Sequence, residues 1–162
     1  MSASELTLPN AGTNAVIEHV LHFGRVGLET GGFLLAPRGA EQITSVACAG
    51  TAGIARRPEL FQVSERALDR LFAHADKRDL WIPAQFHSHM FEAGLSLCDL
   101  EHGLSVEGFQ TTVIPFFHAP PQDPARWGWW RYSNSWEPVD PPTVSGTPVQ
   151  ILAFDENGVR DA

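Results

Sequence analysis

"QFHSHMFEAGLSLCDLEHG", residues 85–103, holds two patterns that suggest different things. His87 and His89 stand two apart. On an extended strand, residues i and i+2 point to the same side, so two imidazoles would aim at one point. Neutral imidazole is a good ligand for zinc. Ser96 and Asp99 stand three apart, the spacing of a capping box at a helix start. There the serine accepts an amide proton and the acid favours the positive helix end. With seven histidines in the chain, His-x-His alone is a weak signal, and Ser-x-x-Asp alone is satisfied by a structural cap. The two readings are compatible, because a carboxylate in a first helical turn can also face a metal.

Outward from this stretch, residues 81–89 read as extended, 96–107 as helical and "FQTTVIPFF" (109–117) as a β-rich run. "SERALDRLFAHAD" (64–76) is the clearest helix: Ser64 caps it, and Leu68, Leu71, Phe72 and Ala75 share a face. "TNAVIEHVLHFG" (13–24) is a second, capped by Thr13 or Asn14, with Ile17, Val20 and Leu21 on one side and Gly24 ending it. "GGFLLAP" (31–37) is a buried strand closed by Pro37, and "QITSVACAGT" (42–51) is its neighbour across a turn at Arg38 and Gly39. A proline-rich loop (120–124) precedes an aromatic strand, "WGWWRYS" (127–133). Residues 138–148 hold four prolines and form a connector to a last strand at 149–156. Helices and strands alternate early and strands cluster late. This predicts an α/β (α+β) fold, one mixed β-sheet flanked by helices, in a single domain spanning 1–162. The core would be about 13–133, followed by the connector and C-terminal strand at 138–156.

Composition narrows the function. The 162 residues are 43% hydrophobic and 19% charged, an ordinary globular mix. A domain of this size hides roughly 70% of its unfolded surface. The net charge of −8 speaks against nucleic-acid binding and against docking on an anionic membrane, both of which need cationic surface. No run is apolar enough to span a bilayer. "MSASELTLPN" lacks the basic start and apolar core of a signal peptide, so a cytoplasmic location with Cys48 and Cys98 as reduced thiols is expected.

One more carboxylate completes a pattern. "GLETGGFLLAP" places Glu29 just before the two glycines that open a buried strand. Taken by itself it is an exposed turn acid. The order Glu29, His87-Ser88-His89, Ser96-x-x-Asp99, with "ELFQVSERALDRLF" between and "TTVIPFF" after, resembles the JAB/MPN metalloprotease family and its JAMM motif. The resemblance covers roughly residues 13–132. It implies a mixed sheet flanked by helices, akin to cytidine deaminases. It implies one zinc per chain, held by His87, His89 and Asp99 with a water in the fourth position. Glu29 matches the general base, and Ser96 matches the residue that hydrogen-bonds the oxyanion. The chemistry suits these residue types: two imidazoles and one carboxylate leave the zinc net positive, which acidifies water and polarises an amide carbonyl.

The family hydrolyses peptide or isopeptide bonds after the Gly-Gly tail of ubiquitin-like proteins. The short chain is similar to its compact bacterial type, whose partners are a ubiquitin-like substrate with its activating and conjugating enzymes. A tail of that kind could add beside the site as a strand. The sequence departs from the pattern twice: six residues rather than seven separate His89 from Ser96, and Met90 stands where a proline is usual. His102, three residues after Asp99, is an alternative ligand or a supporting partner. Cys98 is expected in the core. Trp127, Trp129, Trp130 and Tyr132 are expected in a core strand, with partner contact as the alternative. Other readings are an inactive module that binds a ubiquitin-like protein, a sulfur-carrier-processing peptidase, and a cupin-type metal barrel.

Overall fold

The computed structural model describes residues 5–162, apart from the side chain of His102. In chain order its elements are β1 (Thr7–Pro9), α1 (Asn10–Gly24), β2 (Gly31–Pro37), β3 (Ser45–Ala49), β4 (Ile54–Arg57), β5 (Leu60–Val63), α2 (Glu65–Lys77) and β6 (Leu80–Ser88). After them come α3 (Leu97–His102), β7 (Gln110–Ile114), β8 (Gly128–Ser133), β9 (Ser135–Pro138), β10 (Thr143–Ser145), β11 (Gln150–Asp155) and β12 (Gly158–Asp161). Eight strands form one mixed sheet in the order β12-β11-β3-β2-β6-β7-β8-β9. The expected mixed α+β fold, a sheet flanked by helices, is the fold observed, and it is not the barrel of a cupin.

Strand alternation explains the two layers. On β2, Leu34 and Ala36 face α1 with Val16, Ile17 and Val20, whereas Phe33 and Leu35 face α2 with Ala67, Leu71 and Ala75. On β3, Val46 and Cys48 join the first layer and Ala47 and Ala49 the second. Both faces of these strands are covered, so they read as continuous apolar runs rather than as alternating ones. On β6, Ala84 and Phe86 belong to the α1 layer. Period two therefore turns Gln85 and His87 to the opposite face.

Several sequence expectations shift at their ends. Helix α1 starts at Asn10, directly behind Pro9, and no side chain caps it; Thr13 is buried inside the helix instead. Pro9 ends β1 with φ fixed at −62°, so the chain turns into the helix there. Ser64 does cap α2, accepting from the Ala67 amide, but Phe72 is 42% exposed. The buried stripe runs through Ala67, Leu71 and Ala75, and Phe72 lies one residue round the helix from it. Helix α3 is six residues long rather than twelve, because Gly103 leaves it in an extended conformation. The β4–β5 hairpin is an element the sequence reading lacks. All four β5 residues are half-buried, so no alternation announces the strand. Chain 149–156 is β11, but it is followed by β12, and the connector contributes β10, which pairs with β1. Trp127 and Trp129 are buried, and their indole N–H groups donate to the Pro121 and Pro124 carbonyls.

Candidate metal centre

The centre lies where β2 begins and β6 ends. These strands run antiparallel with Gly31 opposite His87, which brings the chain just before β2 alongside the residues that leave β6. The approach is close enough to require glycine. A Cβ on Gly31 would stand 2.4 Å from the Phe86 carbonyl oxygen, and one on Gly32 would stand 2.1 Å from that of Ala47. Ser88, fully buried between the two histidines, ties the strands together. Its hydroxyl accepts from the Thr30 amide at 2.9 Å, and its own amide donates to the Thr30 carbonyl at 2.9 Å.

Helix α3 supplies the third ligand-type group. The capping box read from the sequence is complete. Ser96 Oγ accepts from the Asp99 amide at 3.1 Å, and Asp99 Oδ2 accepts from the Ser96 amide at 2.8 Å. The same carboxylate faces both imidazoles: Oδ1 lies 3.1 Å from His87 Nε2, and Oδ2 lies 3.2 Å from His89 Nε2. His87, His89 and Asp99 thus form a cluster whose ligand atoms all lie within 4.8 Å of one another, which could hold a metal ion. Tetrahedral coordination with bonds of about 2.0–2.1 Å sets neighbouring ligand atoms about 3.3 Å apart. Each imidazole nitrogen is near that distance from one Asp99 oxygen, though from a different oxygen in each case.

The state of the imidazoles supports the fit. His87 Nε2 stands beside Asp99 Oδ1 without hydrogen-bond alignment, and both ring nitrogens of His87 are buried with no hydrogen-bond partner. A buried polar atom left this way is costly, and a cation between nitrogen and carboxylate would satisfy it. His89 Nδ1 lies 3.1 Å from the Glu92 carbonyl oxygen. An N–H there fixes the tautomer and leaves Nε2 as the free lone pair, a usual support for a ligating histidine. Glu92 belongs to the six-residue loop between His89 and Ser96, so that loop itself supplies the support of His89. Burial pushes the Asp99 carboxyl up, but the two imidazoles outweigh it and hold it well below the ordinary carboxylate range. Burial pulls His89 down, but Asp99 and Glu29 outweigh that and raise it.

Glu29 is buried at the mouth of the cluster, with Oε1 3.8 Å from His89 Nε2. It is not an exposed turn acid. Burial raises its carboxyl to about 7, against the lowering pull of His89. A small pocket of about 40 Å³ is lined by Glu29, His87, Cys98 and Asp99, together with Glu59, Phe61 and Gln85. Phe61 and Gln85 also line a groove of about 670 Å³ between the β4–β5 hairpin, α2 and Leu104. Cys98 is half-buried against the pocket rather than in the core, since so short a helix leaves little to cover it. Neither cysteine is in a disulfide. Ser96 is exposed, and among the described residues it is joined to the group through Asp99. The sequence reading missed Glu59, Phe61 and Gln85; only the hairpin places the first two beside Glu29. The side chain of His102 lies outside the described residues. None of the described helices is long and apolar enough to cross a membrane.

The fold and the site together define a mixed-sheet α/β protein with a His-His-Asp cluster of metal-ligand type. No protein-family model matches the chain, and no curated protein matches it significantly. Among solved structures, protein DSY2949 from Desulfitobacterium hafniense is similar in fold. The two share 17% identity with a TM-score of 0.61, over 88% of this chain and 94% of that one. AF2198, a JAB1/MPN domain protein from Archaeoglobus fulgidus, aligns at 11% identity with a TM-score of 0.47, over 88% of this chain and all of that one. The second superposition is too loose to carry an argument.

Proposed function

We propose that this chain is a zinc-dependent metallopeptidase of the JAB/MPN type, which cuts the peptide or isopeptide bond after the Gly-Gly tail of a ubiquitin-like protein. One observation carries the reading: two imidazole nitrogens converge on the two oxygens of one carboxylate, with a second buried carboxylate 3.8 Å away. His87, His89 and Asp99 would hold the ion. A donor set of two nitrogens and one carboxylate would suit zinc, and three protein ligands would leave a position open, as in catalytic sites. The chemistry such an ion supplies is Lewis acidity, which acidifies water and polarises a carbonyl.

The remaining steps belong to the chain's own residues. Glu29 takes the proton of the attacking water at its carboxylate. The tetrahedral carbon then loses its C–N bond, and Glu29 returns the proton to the departing amine. A carboxylate that first accepts a proton can return it, so one residue serves both halves of the exchange. The Ser96 hydroxyl accepts from the Asp99 amide, so its own proton is free to be donated to a developing oxyanion. The groove of about 670 Å³ beside β5 is where an extended tail would lie, and Phe61 and Gln85 line both it and the small pocket at Glu29, so a tail in the groove would lead to the centre. Loaded with zinc, the protein should cut a ubiquitin-like protein extended past Gly-Gly. Glu29→Gln should keep its zinc and its fold while cleavage falls by about 100-fold or more. Equal cutting by parent and variant, followed on a gel, would remove Glu29 from the mechanism.

A further inference from the structure

Arg56, on β4, is used by none of the steps above, yet it is half-buried behind the site. All three of its guanidinium nitrogens donate to neutral oxygens. Nε donates to Thr30 Oγ1 at 3.0 Å, Nη1 to the Gly50 carbonyl at 2.6 Å, and Nη2 to the Ala49 carbonyl. Its Cζ lies 3.8 Å from the centre of the Phe23 ring. A guanidinium fork with this many fixed acceptors has one geometry, unlike a lysine ammonium.

Its connection to the site runs through Thr30, whose polar groups are all engaged. The Thr30 amide and carbonyl are bonded to Ser88. Its hydroxyl accepts from Arg56, because arginine can only donate, and so has its own proton for His19 Nε2, 2.8 Å away. His19 can accept it: burial, with Arg56 nearby, lowers its pKa to about 4, so the ring is neutral. One residue earlier, the Glu29 amide donates to the Arg57 carbonyl at 2.9 Å. Strand β4 therefore grips the Glu29–Thr30 segment twice, by the Arg57 backbone and by the Arg56 side chain.

We infer that Arg56 is a positioning residue for Glu29: through Thr30 it fixes the backbone from which the carboxylate reaches the mouth of the centre. The inference rests on the reading of Glu29 as the proton carrier. The effect is expected to be largest at Glu29: Ser88 between the histidines is also bonded to Thr30, but His87 is anchored by β7 as well, and His89 by the Ile114 carbonyl and by Glu92.

Three variants test it. Arg56→Lys keeps the charge and loses the fork; Thr30→Val keeps the shape and loses the hydroxyl; Thr30→Ser keeps the hydroxyl. For the first two, kcat on the Gly-Gly-extended substrate should fall by about 10–100-fold, the scale of a misplacement near 1 Å. KM and zinc content should stay at the parent's values. In the metal-free variants, amide hydrogen exchange should speed up at Glu29 and Thr30 and stay unchanged in α2. Thr30→Ser should recover most of the loss. Unchanged exchange at residues 29 and 30, unchanged kcat, or a Thr30→Ser protein as poor as Thr30→Val would overturn the inference. If the parent itself does not cut, the proposed function fails, and the exchange comparison alone decides whether Arg56 holds the Glu29 segment.

Discussion

Two carboxylates of this protein are held far below their ordinary pKa, and they are held by different kinds of partner. Asp155 is 2% exposed and receives four permanent donors. Arg160 donates to both oxygens at 3.2 and 2.9 Å, the Thr51 amide donates at 3.1 Å, and the Asn157 amide at 2.9 Å. Asp99 has one such donor, the Ser96 amide, and two imidazole nitrogens. A neutral imidazole carries one N–H, and that of His89 belongs on the nitrogen facing Glu92. Its other nitrogen then meets the carboxylate lone pair to lone pair, an arrangement that needs a proton or a cation between them. Asp155 is a finished structural ion pair. Asp99 instead faces two titratable imidazoles and one amide, the surroundings of a candidate ligand rather than of a brace.

Mutation should pull the two apart. The largest effect is expected at the centre: Asp99→Ala and His87→Ala should each take zinc from about one per chain to nearly none by elemental analysis, while Asp155→Asn keeps it. Retention of zinc by Asp99→Ala would show that the shortened loop has changed the ligand set. The next effect is on stability and runs the other way. Asp155→Asn should cost the fold about 2 kcal/mol at pH 7, the scale of hydrogen bonds to a charged group. Its sign with pH follows from the depressed pKa, whose first cause is the pair with Arg160. The native carboxylate stays ionised where the unfolded one, with a pKa of about 3.9, takes up a proton. The contribution is therefore full above that value and is lost as the pH falls below it. Urea unfolding of parent and Asp155→Asn should differ at pH 7 and converge near the acid end, and a gap independent of pH would contradict this. The smallest effect concerns the cap. Ser96→Ala should cost about 1 kcal/mol, confined to α3. Hydrogen exchange should report it there and not in β6.

The ligand half of this comparison was legible in the sequence, and the brace was not. Spacing alone gave His87, His89 and the Ser96–Asp99 cap, because strand and helix periodicities dictate which side chains share a face. Glu29 needed the resemblance, since nothing local says that a turn acid lies beside residues sixty positions later; the Gly31–His87 register decides it. Strand β2 was readable from end to end, as both its faces are apolar and Pro37 closes it. The β4–β5 hairpin, Arg56 and the Asp155–Arg160 pair escaped. Each depends on which distant backbone carbonyl or carboxylate a side chain meets, and periodicity carries no trace of that. The overlong α3 and the misplaced cap on α1 are boundary errors, set by a tertiary turn at Gly103 and by Pro9.

The most direct test of the account is amide hydrogen exchange of the metal-free protein, measured with and without one equivalent of zinc. Helix α3 is held by its capping box and by Asp99, while His87 sits on a strand between β2 and β7. An ion bridging Asp99 to the two histidines should tie the helix to the sheet. The Leu100 and Gly103 amides, which bond the Ser96 and Asp99 carbonyls, should slow by about tenfold or more, and those of β6 should be unchanged. Exchange in α3 that is indifferent to saturating zinc would mean that Asp99 is not a ligand, and that these residues are only a strand, a turn and a capped helix.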